Sequence, residues 1–90
     1  MKKRLTLKIY GLVQGVGYRY LAQKEAVKSG FSGYVANAED GTVELVAEGS
    51  QSDLEAFVLW CYNGVGLAQV QKIEKNWSEA TGEFSDFMIK

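Results

Sequence analysis

The segment Gly11-Leu12-Val13-Gln14-Gly15-Val16-Gly17-Tyr18-Arg19 gathers residue types suited to binding an anion. Gly15 and Gly17 lack a Cβ, so the backbone there can turn sharply and approach a charged group closely. A loop that turns into a helix leaves several N–H groups without intrahelical acceptors. Those groups sit at the positive end of the helix dipole, which favours a phosphate. Arg19, at the helix entrance, presents a planar fork able to donate two parallel charge-assisted hydrogen bonds. The spacing is not that of a Walker loop, because no Gly-Lys-Ser/Thr closes it. It is not a dinucleotide fingerprint either, because Tyr20 occupies the third glycine position. On the residues alone, the segment reads equally as an anion site or as a tight strand-to-helix turn with a surface arginine. Asn37, three residues before Asp40-Gly41, reads on the same grounds as a turn residue.

Absent residue types narrow the chemistry further. The chain has no histidine, so neither a Ser-His nor a Cys-His catalytic pair can form, and a zinc site of Cys and His ligands is excluded. Cys61 is the only cysteine; no internal disulfide is possible, and its apolar helical neighbours mark it as a buried thiol. Catalysis is left to carboxylates, Arg, Lys, Tyr, amides and backbone groups. Asp40 and Glu44 are better explained as a hairpin residue and a solvent-facing strand residue than as paired catalytic carboxylates. Tyr20 and Tyr34 suggest a base-stacking pair, but the net charge of −1 and the missing RNA-recognition motif argue against a nucleic-acid partner. The cations Lys2, Lys3, Arg4 and Lys8 read as a solvated strand end. Tyr18 is a core or rim aromatic, Trp60 and Trp77 are packing aromatics, and Gln14 serves either the substrate or the loop.

The elements that must position these groups follow from periodicity. Leu5, Leu7 and Ile9 alternate with Thr6, Lys8 and Tyr10, a strand with one buried face. Residues 20–29 lack breakers, place Ala22, Ala26 and Val27 on one side and stop at Gly30, which predicts a helix. Residues 32–38 and 42–48 are strands around the hairpin signal Asp40-Gly41, with Val43, Leu45 and Ala47 on one face of the second and Glu44 and Glu48 on the other. A second helix starts at Gly49-Ser50 or, by capping-box spacing, two residues later; Leu54, Phe57, Val58 and Cys61 form its apolar stripe and Asn63-Gly64-Val65-Gly66 ends it. Residues 70–77 and 84–89 are the remaining strands. The order β-α-β-β-α-β plus a terminal strand predicts an α+β, ferredoxin-like sandwich with two helices on one sheet face.

With 90 residues and 47% apolar content, the chain is expected to be one domain, 1–90. No apolar run approaches the ~18 residues needed to span a membrane. The basic start is not followed by a signal-peptide core, so a cytoplasmic protein is expected. Edge strands and aromatics leave room for dimers, but nothing in the sequence demands one, so a monomer is expected.

Two stretches carry a family resemblance. Gly11 to Arg19, and Gly33-Tyr34-Val35-Ala36-Asn37-Ala38-Glu39-Asp40-Gly41-Thr42-Val43-Glu44, resemble the two acylphosphatase signatures, and Thr81 to Phe87 is similar to the tail of bacterial members. The resemblance covers essentially the whole chain. It implies hydrolysis of acyl phosphates to a carboxylate and phosphate, with no cofactor, no metal and no phosphoryl-enzyme intermediate. It implies that the amides of Gln14, Gly15, Val16, Gly17, Tyr18 and Arg19 cradle the phosphate, that the Arg19 guanidinium completes the cradle, and that Asn37 positions the attacking water. The partner is then a small-molecule acyl phosphate. Alternatives are a binding module for phosphate or acyl phosphate with little turnover, and an accessory domain acting on carbamoyl phosphate in a larger maturation enzyme. One departure is Gly64-Val65-Gly66, where relatives carry Gly-Pro.

Overall fold

Alternation in the first strand builds the centre of the sheet. In β1 (Lys2–Leu12), Leu5, Leu7 and Ile9 are at most 1% exposed, while Thr6, Lys8 and Tyr10 face the other way. The computed structural model describes residues 2–63 and 65–90. After β1 come α1 (Tyr18–Lys28), β2 (Ser32–Asn37), β3 (Val43–Ser50), α2 (Gln51–Asn63), β4 (Gln69–Glu79) and β5 (Phe87–Ile89). The strands form one sheet in the order β4-β1-β3-β2-β5. β1 is antiparallel to β3 and β4, β2 is antiparallel to β3, and β5 is parallel to β2. This is the ferredoxin-like arrangement expected from the element order, and β5 extends it at the edge beyond β2. Both helices lie on one face, where Ala22, Ala26, Leu54, Phe57, Val58 and Cys61 pack against Leu5, Leu7, Ile9, Val35 and Leu45.

Most expected boundaries shift by a few residues, each for a local reason. β1 continues through Gly11 and Leu12 because both still pair with β4, at Val70 and Gln69. α1 starts at Tyr18 rather than Tyr20, directly after the left-handed Gly17. α2 begins at Gln51: the Ser50 hydroxyl accepts the Asp53 N–H at 3.3 Å, which selects the earlier of its two possible starts. The hairpin uses three loop residues, Glu39-Asp40-Gly41, with only Gly41 at positive φ; a two-residue type I′ turn would need positive φ at both of its central positions. Phe84 falls outside β5, and Val27 is exposed rather than on the buried side of α1. Gly64, expected to help end α2, lies outside the described residues. Among the described residues, no helix is long and apolar enough to cross a membrane.

Glu48 departs most from expectation. It faces away from the helices, as the alternation requires, yet it is 2% exposed. The connection from β4 to β5 must pass from one edge of the sheet to the other, and it covers this carboxylate on the way. Glu48 accepts the N–H groups of Thr81 (3.0 Å) and Gly82 (3.1 Å) and Arg4 Nε at 2.8 Å. Arg4 also binds Glu83 and the Thr81 hydroxyl and lies over the Phe84 ring. Arg4 is thus the hub of an ionic cluster rather than part of a solvated strand end. Of the other cations expected there, Lys3 pairs with Glu79 and Lys8 with Asp40.

Candidate functional site

The glycine segment is shaped by its backbone. At Gly11 the β1–β4 register shifts, φ is +130°, and an added Cβ would stand 2.1 Å from the Gln69 carbonyl oxygen. Only glycine lets β1 bend there into the loop. Val13, 1% exposed, then anchors the loop in the core, and Val16 packs against that core too. Gly15 and Gly17 have φ of +75° and +79°, with nothing within 4 Å of an added Cβ, so they are required by conformation and not by space. Two left-handed residues flanking Val16 turn successive amides toward one side, the geometry of an anion nest.

The hydrogen-bond inventory agrees. The first helical bond of α1 runs from the Leu21 N–H to the Gly17 carbonyl at 3.1 Å, and none of the N–H groups of residues 14–20 donates to an acceptor among the described residues. The N-terminus of α1 has no side-chain cap and no acidic residue in its first turn, so its positive end is not neutralised locally. Arg19 lies in that first turn. Its Nη1 donates to the main-chain oxygen of Lys90 at 2.9 Å, which steadies the guanidinium beside the nest.

A cavity of about 200 Å³ opens here, lined by Val13, Gly15, Gly17, Tyr18, Arg19, Tyr20, Asn37 and Ile89. It brings together the two distant signatures, one at the start of α1 and the other at the end of β2. Asn37 is exposed, and its carboxamide makes no hydrogen bond among the described residues. That group offers both an acceptor and a donor to a water molecule.

Three expected site residues contribute differently from Arg19 and Asn37. The Gln14 carboxamide points away from the cavity and donates to the carbonyls of Ala38 and Thr42, both at 2.8 Å. It ties the loop to the hairpin that follows Asn37, the contact expected of a residue that fixes the loop. Val16 turns its side chain to the core. Tyr18 is 1% exposed, and its hydroxyl donates to the Cys61 carbonyl at 3.0 Å. Burial pushes its ionisation far above the ordinary phenol range, so the side chain is a neutral strut between α1 and α2. Burial likewise raises the Cys61 thiol to about 12, which makes it inert packing. Asp40 braces the hairpin: its Oδ1 accepts the Thr42 hydroxyl at 2.6 Å and its Oδ2 pairs with Lys8 at 3.0 Å. These partners, the Thr42 hydroxyl first, hold its carboxyl well below the usual carboxylate range. Among the described residues, no group of three or more Cys, Asp or Glu side chains is arranged to hold a metal ion.

Tyr20, Ile89 and Lys90 did not emerge as site residues from sequence. Tyr20 carried a signal, its position next to Arg19. Ile89 and Lys90 carried none, because they reach the site only through the parallel pairing of β5 with β2, where Val35 stands opposite Ile89 and accepts the Lys90 N–H at 2.8 Å.

Comparison with known proteins points the same way. The family model described as Acylphosphatase matches residues 5–89. A protein named acylphosphatase from Paenarthrobacter aurescens is 45% identical over 86 residues, 96% of this chain and 92% of that one. The crystal structure of acylphosphatase from Bacillus subtilis superposes with a TM-score of 0.93 at 36% identity, covering 98% of each chain. Full-length HypF, crystallised in its phosphate- and nucleotide-bound form, contains a similar region: TM-score 0.90, 28% identity, 100% of this chain and 12% of that one. Signatures, sheet order and near full-length similarity converge, and the chain belongs to the acylphosphatase family.

Proposed function

We propose that the protein carries out the family's reaction, hydrolysis of the carboxyl–phosphate bond of acyl phosphates, with Arg19 and the N–H groups of residues 14–19 binding the phosphoryl group and Asn37 holding the water. What supports this reading is one juxtaposition: a run of unpaired amides and a guanidinium lining the same cavity as an unbonded carboxamide. The water oxygen forms a bond to phosphorus while the bond from phosphorus to the acyl oxygen breaks. The products are a carboxylate and dihydrogen phosphate, which keeps both protons of the water.

The chemistry asks little of the protein beyond position and charge. The leaving group is a carboxylate with an ordinary pKa of about 4, so it departs without protonation. The transition state is loose, with charge spread over the phosphoryl oxygens, and fixed donors aimed at those oxygens lower its energy. Arg19 and the amides are such donors. The Asn37 amide N–H donates to the water oxygen, or its carbonyl accepts a water hydrogen, and either orients a lone pair at phosphorus. No step calls for a strong base, which suits a chain without histidine.

In the same reading the protein is a one-domain cytoplasmic monomer. The exposed edge strand β4 carries Lys72, Glu74, Lys75 and Glu79, charges that oppose edge-to-edge pairing, and the free thiol of Cys61 suits a reducing compartment.

An assay of benzoyl phosphate hydrolysis in the presence of a chelator tests the proposal. Turnover on the ordinary enzyme scale of ~10 s⁻¹ is expected. Arg19→Ala should lower kcat/KM by about 10²–10³-fold, the usual loss for one preorganised donor. Wild-type hydrolysis no faster than the uncatalysed background would overturn the reading, and tight phosphate binding with negligible turnover would identify a binding module instead.

A further inference from the structure

Arg19 is not the only side chain of α1 that reaches β5. Gln23 stands one turn further along, at i+4, on the same face of the helix. Its Nε2 donates to the Phe87 carbonyl at 3.0 Å, as Arg19 Nη1 donates to the Lys90 main-chain oxygen at 2.9 Å. The two bonds hold β5 at its first residue and just beyond its last. The strand has little else to hold it. It is an edge strand of three residues, and only Phe87 of the three is buried. Its ladder runs to β2 alone, from the Gly33 N–H to the Asp86 carbonyl at one end to the Lys90 N–H to the Val35 carbonyl at the other. Gln23 does not line the cavity, so it is placed to act through its neighbours and not on a bound phosphoryl group.

We propose that Gln23 is a positioning residue for the site: it fixes β5 against α1 and so keeps the Lys90 main-chain oxygen where it braces the Arg19 guanidinium. The proposal rests on the acyl phosphate reading above and adds to it a residue that touches neither phosphate nor water. An arginine side chain has several rotatable bonds, and its fork serves a phosphoryl group only in the orientations that aim it there. The Lys90 oxygen selects among them. Without the Gln23 bond, the Arg19 bond is the one side-chain hydrogen bond left between α1 and this end of the sheet among the described residues. It must then hold the strand as well as the guanidinium, and the fork is correctly aimed for a smaller share of the time. The apparent affinity for phosphate falls by that share. Once the phosphoryl group is bound, its own charge holds the fork, so turnover at saturation changes little. That pattern separates Gln23 from Arg19, whose removal takes a donor out of the transition state itself.

The test is Gln23→Met, which keeps the length of the side chain and removes the donor. In benzoyl phosphate hydrolysis it should raise KM about fivefold, the population change that one ordinary hydrogen bond controls, with kcat within about twofold of wild type. The dissociation constant of inorganic phosphate, measured by calorimetric titration, should rise by the same factor. In an Arg19→Ala background the same substitution should change kcat/KM by less than about 1.5-fold, since the bond acts through the guanidinium. Gln23→Glu, which sets an acceptor against the Phe87 carbonyl, should weaken phosphate binding at least as much as Gln23→Met. Unchanged KM and phosphate affinity in both variants would overturn the proposal and leave the hydrolase reading intact. An equal fall in kcat/KM with and without the Arg19 guanidinium would overturn it too, and would mark Gln23 as a support of the fold alone. Wild type that binds phosphate without hydrolysing benzoyl phosphate would overturn the hydrolase reading, and the phosphate titrations would still decide the role of Gln23.

Discussion

Arg19 and Asn37 differ in what surrounds them, and that difference sets what each substitution should do. The guanidinium is braced by the Lys90 main-chain oxygen at 2.9 Å and lines the cavity beside the unpaired amides, where the proposed reaction would put the phosphoryl group. The Asn37 carboxamide is braced by nothing among the described residues and belongs to the solvent side. Asn37→Ala is therefore expected to leave the inhibition constant of inorganic phosphate within about twofold while lowering kcat by about 10²-fold, as loss of one oriented polar group does. Steady-state kinetics with phosphate as competitive inhibitor would show it. A kcat equal to wild type would remove Asn37 from the mechanism.

At the scale of elements, the site is a joint between the loop before α1 and the hairpin after β2. Gln14 is the pin. Its two hydrogen bonds reach carbonyls on either side of the Asp40-Gly41 turn, and Asp40 in turn holds Lys8 of β1. Replacing Gln14 by Met keeps the volume and removes both bonds, leaving the Ala38 and Thr42 carbonyls with only their backbone donors, the N–H groups of Gly41 and Ala38. A loss of about 1–2 kcal/mol in denaturant-measured stability is expected, along with a lower kcat at nearly unchanged phosphate affinity. Unchanged stability together with weakened phosphate binding would instead mean that Gln14 serves the substrate directly.

The whole molecule depends on the crossing from β4 to β5, because that crossing delivers Ile89 and Lys90 to the site. Glu48 fixes it from beneath. Burial pushes the Glu48 carboxyl up, but the Thr81 N–H, Arg4 and the Gly82 N–H together pull it below its ordinary value of 4.5. Glu83 is lowered by Arg4 and Thr81, and Asp40 by Thr42 and Lys8. A carboxyl whose folded value lies below its unfolded one stabilises the fold fully above the unfolded value. That contribution is lost as pH falls through 4.5 toward the folded values. Wild type should thus lose stability steadily below pH 4.5. Glu48→Gln should cost about 1–2 kcal/mol at pH 7, because it removes the charge from a buried acceptor of three donors while Arg4 keeps Glu83, and the gap to wild type should narrow by pH 3. Urea melts at both pH values measure it; a gap constant with pH would show that the charge of Glu48 plays no part.

Much of this architecture was legible in the chain because it is written in local order. Alternation at Leu5, Leu7 and Ile9, the stripe Leu54-Phe57-Val58-Cys61, and glycines at the turns are periodic or conformational signals, and each determines its element without knowledge of distant residues. The nest before Arg19 belongs to the same class, since two glycines and a helix start suffice to make it. The burial of Glu48, the bonding of Gln14 to the hairpin, the placing of Asn37 in the same cavity as Arg19, and the arrival of Ile89 and Lys90 there belong to the other class. They arise from which strand lies beside which and from where a connecting segment crosses the sheet. Such contacts join residues as far apart as Arg19 and Lys90, 71 positions, or Arg4 and Glu83, 79 positions, and leave no repeating imprint on either neighbourhood. Only the packed fold decides them.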